Sequence, residues 1–134
     1  MIKDITKEKI RLELERSEEA FKGAKISLRE ELFDESVSSA YYSMFHAVKA
    51  VLLTLDLEPS THQGVVILFG LHFIKPGIIE KEYNNLFIEA KDDREESDYN
   101  VTRKFTKKEA AEKLENTVKF KNRIYEYLKE KELI

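Results

Sequence analysis

Residues 34–55 read DESVSSAYYSMFHAVKAVLLTL, and this stretch decides the fold. Val37, Ala40, Tyr41, Met44, Val48, Val51, Leu52 and Leu55 fall at the three- and four-residue spacings that stack side chains on one side of an α-helix. A second set, Tyr42, Phe45, His46 and Lys49, follows the same spacing on an adjoining face. A helix with two such faces is expected in the middle of a bundle, where it meets several neighbours at once. Asp34 or Ser36 is its expected N-cap, because a short oxygen-bearing side chain accepts from the free amides of a first turn.

Upstream, roughly from Lys7 to Glu31, Ile10, Leu14, Ser17, Phe21, Ala24 and Leu28 are spaced alternately four and three apart. That is the seam of a helix lying along near-antiparallel partners. Downstream, Pro59 in the turn DLEPS forbids helix continuation, and Ser60-Thr61-His62-Gln63 has the S-x-x-Q form of a capping box opening a third helix. Val65 to Phe73 is apolar almost all round and predicts a short, deeply enclosed helix that Lys75-Pro76-Gly77 ends. A fourth helix is expected from near Ile78 through Tyr83, Leu86, Phe87 and Ala90 into the charged stretch KDDREESDYN. Thr106-Lys107-Lys108-Glu109 is a T-x-x-E box opening a fifth, which carries Ala110, Leu114, Val118, Ile124, Tyr125 and Leu128. The expected architecture is an all-α, antiparallel up-and-down bundle of four to five helices, formed by residues 1–134 as one domain.

Composition agrees and narrows the chemistry. With 37% charged residues against only four Gly and two Pro, long helices with charged outer faces are favoured over a turn-rich sheet protein. The absence of Cys removes disulfides, thiolate zinc sites and thiol catalysis. The N-terminal residues lack the apolar segment of a signal peptide, and the longest apolar run, Val65–Phe69, is far short of the roughly 20 residues of a membrane span. A cytoplasmic location and no membrane attachment are expected. A net charge of -3 argues against gripping nucleic acid by global electrostatics, leaving a local basic face such as Arg103, Lys104, Lys107 and Lys108. Phosphate-loop, zincin, serine-hydrolase and calcium-loop signatures are all absent, and His46, His62 and His72 are not spaced to put two metal ligands on one helical face. No metal and no cofactor is expected.

Three stretches carry candidate chemistry, each beside a plainer reading. Tyr41-Tyr42-Ser43-Met44-Phe45-His46 reads first as core; alternatively Tyr42 and His46, one turn apart, border a cleft and bind a base or ribose. Ser60-Thr61-His62-Gln63-Gly64 reads first as a helix cap; alternatively its free amides meet an anion while the helix dipole favours a neutral His62. Lys91 to Tyr99 reads first as a solvated helix end; alternatively Arg94 clamps a phosphate, with Asp98 and Tyr99 beside it.

Taken together, AYYSMFHAVKAVL, then STHQGV, then a helix closing in FIKPG, then the R-x-x-S-D-Y element at 94–99, resemble the small stand-alone prokaryotic branch of the HEPN domain family across nearly the whole chain. The resemblance implies a helical bundle that forms homodimers and is encoded beside a nucleotidyltransferase partner in a toxin-antitoxin pair. It also implies an RNA or nucleotide ligand. Many HEPN members are metal-independent ribonucleases in which an Arg, followed after four to six residues by His, meets its symmetry mate at the dimer interface. There the Arg steadies the phosphate and the His transfers a proton. Arg94 matches that Arg, whereas the residue after four intervening positions is Tyr99, and no His follows Arg94. A tyrosine titrating near 10 is a poor base at neutral pH. The expected function is therefore a nucleotide- or RNA-associated module, with a ribonuclease using Tyr99 in place of the usual His as the alternative. Candidate catalytic residues are Arg94, Asp98, Tyr99 and His62, and candidate substrate-binding residues are Tyr42 and His46.

Overall fold

The computed structural model describes residues 2–134. It contains helices α1 (Asp4–Arg29), α2 (Phe33–Leu53), α3 (His62–Phe69), α4 (Lys81–Tyr99) and α5 (Lys107–Glu130), with α3 continuing into a π-helical turn, Gly70–Ile74. No strand occurs among the described residues. The all-helical bundle read from the sequence is what forms.

The pairings fix the directions of the long helices. Between α1 and α2, Ile10 packs with Ala50 and Leu53, Ser17 meets Ser43, and the Ala24 carbonyl accepts from Ser36 Oγ at 2.8 Å. Partner numbers fall as α1 advances, so the two run antiparallel. At the crossing, Ser17 Oγ donates to the Ser43 carbonyl at 2.7 Å and Ser43 Oγ donates back to the Ser17 carbonyl at 2.9 Å. Two fully buried serines let the backbones approach while satisfying every polar atom they bring inside. Arg123 with Glu80, Lys119 with Glu82 and Lys113 with Asp93 likewise set α4 antiparallel to α5. Val37 packs with Ala110 and Ala40 with Leu114, so α2 and α5 run the same way, as diagonal members of an up-and-down bundle do.

As its two apolar faces predict, α2 packs against all four other helices. Tyr41, Met44, Val48 and Leu52 join Phe69, Phe73, Phe87, Phe120, Ile124 and Leu128 in the main core. Phe87 and Phe120 stack at 5.8 Å, with Phe69 edge-on to Phe87 at 5.8 Å. Burying rings of this size supplies most of the stabilisation, and removing one costs about 3–5 kcal/mol.

Local expectations are corrected in several places. Neither Asp34 nor Ser36 caps α2, whose N-cap is Leu32 with no side-chain bond. Asp34 instead accepts from the Phe105 amide at 2.9 Å and Ser36 bonds across to α1, because tertiary partners compete successfully for both oxygens. At α3 the cap is Thr61, one residue later than expected, accepting from Gly64 N at 2.9 Å. The Thr106–Glu109 box forms with both bonds. Although α3 is apolar all round, Ile67 and Leu71 are about half exposed, since only the Val65, Phe69 and Phe73 side faces the core. In α5 the inner face passes through Thr117, Phe120, Lys121 and Tyr127, leaving Val118 exposed, and α4 starts at Lys81 rather than near Ile78.

Candidate functional site

The second face of α2 meets the start of α3 through His62, the last turns of α4 through Arg94 and α1 through Glu13. Pro59 stops the chain after α2, and Thr61 then restarts it as α3, which makes His62 the first helical residue. Gly64 keeps this turn tight: a β-carbon on it would lie 3.0 Å from both Pro59 Cβ and Thr61 Oγ1, so a larger residue there would push on both side chains.

His62 is thereby set onto the rings of α2. It stacks on Phe45 with ring centroids 4.3 Å apart and meets Tyr42 edge-on at 5.8 Å. Its Nδ1 lies 2.7 Å from the hydroxyl of Tyr41, whose ring is fully buried. Burial lowers the pKa of His62, and the positive charges of Arg94, Lys91 and Lys49 lower it further. The ring is therefore neutral at physiological pH. Burial likewise pushes the Tyr41 hydroxyl well above its ordinary range, so it keeps its proton.

From α4, Arg94 covers the same two tyrosines, its guanidinium carbon 5.3 Å from the Tyr42 centroid and 5.9 Å from that of Tyr41. Its Nη2 pairs with Asp98 Oδ2 at 3.2 Å, while its Nε is buried with no hydrogen-bond partner among the described residues. Lys91, one turn earlier, holds Glu95 at 2.6 Å. His46 sits beside Phe45, centroids 5.4 Å apart, and its Nδ1 lies 2.8 Å from Glu13 Oε2 of α1. Lys49 adds a cation 3.6 Å from Glu13 Oε1 and 5.5 Å from the Phe45 centroid. Desolvation would raise the Glu13 carboxyl, but the His46 hydrogen bond and the Lys49 charge outweigh it and hold the group below its ordinary range.

The fold thus assembles Arg94, Asp98, His62, Tyr42 and His46 on one surface. Tyr99, the last residue of α4, is 85% exposed. The sequence reading did not single out Glu13 or Lys91 as site residues. Glu13 was detectable in principle, since it interrupts the Ile10-Leu14-Ser17 seam at inward spacing, where an acid needs a partner. Among the described residues no group of three or more His, Cys, Asp or Glu gathers to hold a metal ion, and no helix is long and apolar enough to cross a membrane.

Comparison with known proteins shows the family. The family profile described as HEPN domain matches residues 10–131. A Methanocaldococcus jannaschii protein named "Putative toxin MJ0605" is 39% identical over 128 residues, 96% of this chain and 94% of that protein. A second from the same organism, "Putative toxin MJ0142", is 34% identical over 90% of this chain and 82% of its own. The "UPF0332 protein PH1297" of Pyrococcus horikoshii is 35% identical over 75% of this chain and 71% of its own. An all-helical bundle, a profile match over nearly the entire chain and a relative 39% identical over 96% of it give one conclusion: this protein belongs to the HEPN domain family.

Proposed function

We propose that this protein is a ribonuclease toxin of HEPN type that cleaves single-stranded RNA without a metal, with Arg94 as the phosphate clamp and the histidines beside it dividing proton transfer and phosphate contact between them. The observation that carries this reading is the convergence of Arg94 and His62 on the Tyr41–Tyr42 ring pair. The chain lacks a His after Arg94, and α3 supplies one from another direction. Arg94 Nη2 is held only by the partly exposed Asp98, which a phosphate oxygen can displace, and its Nε has no hydrogen-bond partner among the described residues, so the guanidinium keeps donor capacity for a phosphate. The names of the two Methanocaldococcus relatives support the toxin class.

The reading includes a homodimer with Arg94 near its twofold axis and a nucleotidyltransferase partner as antitoxin. Tyr99 and Val101, each more than 80% exposed beside the Arg94 end of α4, offer apolar surface for such a contact. A second reading, a binding module without catalysis, is favoured by the Arg94–Asp98 pair, which occupies part of the clamp.

Incubation of total RNA with purified protein in EDTA, comparing wild type, Arg94→Ala and His62→Asn, separates the two. Cleavage lost in Arg94→Ala and reduced in His62→Asn supports the enzyme. A folded wild type that binds RNA without cutting it supports the module.

A further inference from the structure

Each histidine of the site has one ring nitrogen engaged by a partner of definite character. Glu13, ionised and acceptor-only, can pair with His46 Nδ1 only if that nitrogen carries a proton. In a neutral His46 the lone pair is therefore on Nε2, which has no hydrogen-bond partner among the described residues. At His62 the logic reverses. The buried Tyr41 hydroxyl keeps its proton, and the described residues offer it no acceptor except His62 Nδ1. Nδ1 of His62 therefore accepts, and the proton of its neutral ring sits on Nε2.

We propose that His46, held in its tautomer by Glu13, is the base of the site, and that His62, held in the opposite tautomer by Tyr41, acts as a neutral hydrogen-bond donor to the phosphate. The assignment rests on the ribonuclease reading and divides its labour. His46 Nε2 takes the proton from the ribose 2'-OH, and O2' forms a bond to phosphorus as the P–O5' bond breaks. O5' leaves with a proton from water, and His46 returns its proton to solvent. His62 Nε2–H and Arg94 donate to the non-bridging oxygens, where negative charge grows. Glu13 is a positioning residue: it touches no substrate, and it fixes which nitrogen of His46 is free.

The geometry places the two rings around Phe45, His62 stacked on it and His46 against its edge. The charged groups that face them are Glu13 from α1, Lys49 from α2, and Lys91, Arg94 and Glu95 from α4. None of these except Glu13 can fix a tautomer of His46 by a hydrogen bond it already makes.

The test combines tautomer and rate. Long-range 15N–1H NMR of the imidazoles in wild type at neutral pH should show the Nδ1–H form for His46 and the Nε2–H form for His62; an Nδ1–H form at His62 overturns the assignment. With a short fluorogenic single-stranded RNA in EDTA, the rise of kcat/KM with pH should vanish in His46→Asn, with a loss of roughly 10²–10⁴. In Glu13→Gln the same limb should move while circular dichroism and melting show a folded bundle. His62→Asn should lower kcat yet keep the limb. A limb that survives in His46→Asn or disappears in His62→Asn sinks the division of roles and leaves the ribonuclease reading standing. A folded wild type without any cleavage sinks both.

Discussion

The Tyr41 hydroxyl and His62 Nδ1 lie 2.7 Å apart, joining the middle of α2 to the first residue of α3. This bond gives the short α3 a polar anchor in addition to its apolar one. Tyr41→Phe should cost about 1 kcal/mol of stability, the ordinary net value of such a bond, measurable by urea unfolding.

His62 also imposes a pH dependence. Its pKa is lowered from 6.5 by burial and nearby cations, so below about 6.5 the unfolded chain holds a proton that the folded one does not. Stability should therefore fall as pH drops from 6.5 toward the lowered folded value and level off beneath it. His62→Gln should remove this step from a plot of melting temperature against pH; an unchanged step would assign it to another group.

Three helices end in the same way: α2 does so through Asp56, with φ of 57° and Leu57 N bonded back to the Leu52 carbonyl at 3.1 Å, and the other two do so on glutamates, which are less suited to the task. After α1 and α5, Glu31 and Glu132 adopt positive φ of 62° and 57°. Leu32 N bonds back to the Ser27 carbonyl at 2.8 Å, and Leu133 N to the Leu128 carbonyl at 2.9 Å. These are Schellman ends, where glycine is the unstrained choice. Glu31→Gly or Glu132→Gly should stabilise the fold by up to about 1 kcal/mol, read as a raised denaturation midpoint.

Asp98 offers a prediction whose sign is informative. If it competes with phosphate for Arg94, Asp98→Asn should strengthen RNA binding by up to about fivefold, the range of a partly exposed ion pair. Arg94→Lys should weaken it despite the retained charge, because the planar fork is lost. Fluorescence anisotropy with a labelled single strand at fixed salt measures both.

The exposed pair beyond Arg94 tests assembly. Replacing Tyr99 and Val101 together with Ser should shift a dimer toward monomer in light scattering while leaving the melting temperature nearly unchanged, as neither side chain is buried in the protomer.

The fold was legible because periodicity in α1 and α2 reports burial directly, and because Thr106 and Glu109 cap each other through purely local bonds. What escaped depends on partners distant in sequence. Asp34 looks like a cap until Phe105 arrives from 71 residues away. The aromatic stretch, His62 and Arg94 could each be named from the chain, but their meeting on the Tyr41–Tyr42 rings is a product of packing. Glu13 was missed for the same reason: on α1 alone it is one acid among many. Tyr99 was chosen for its distance from Arg94 along the chain, yet where α4 ends its ring points into solvent.

The site takes Glu13 from α1, His46 from α2, His62 from α3 and Arg94 from α4, while α5 completes the core behind them. A nascent chain consequently possesses every chemical group of the site long before it possesses the site. During synthesis the α1–α2 pair that joins Glu13 to His46 emerges first, whereas the core behind the site is complete only with Phe120, Ile124 and Leu128, so the site depends on a helix that contributes none of its groups.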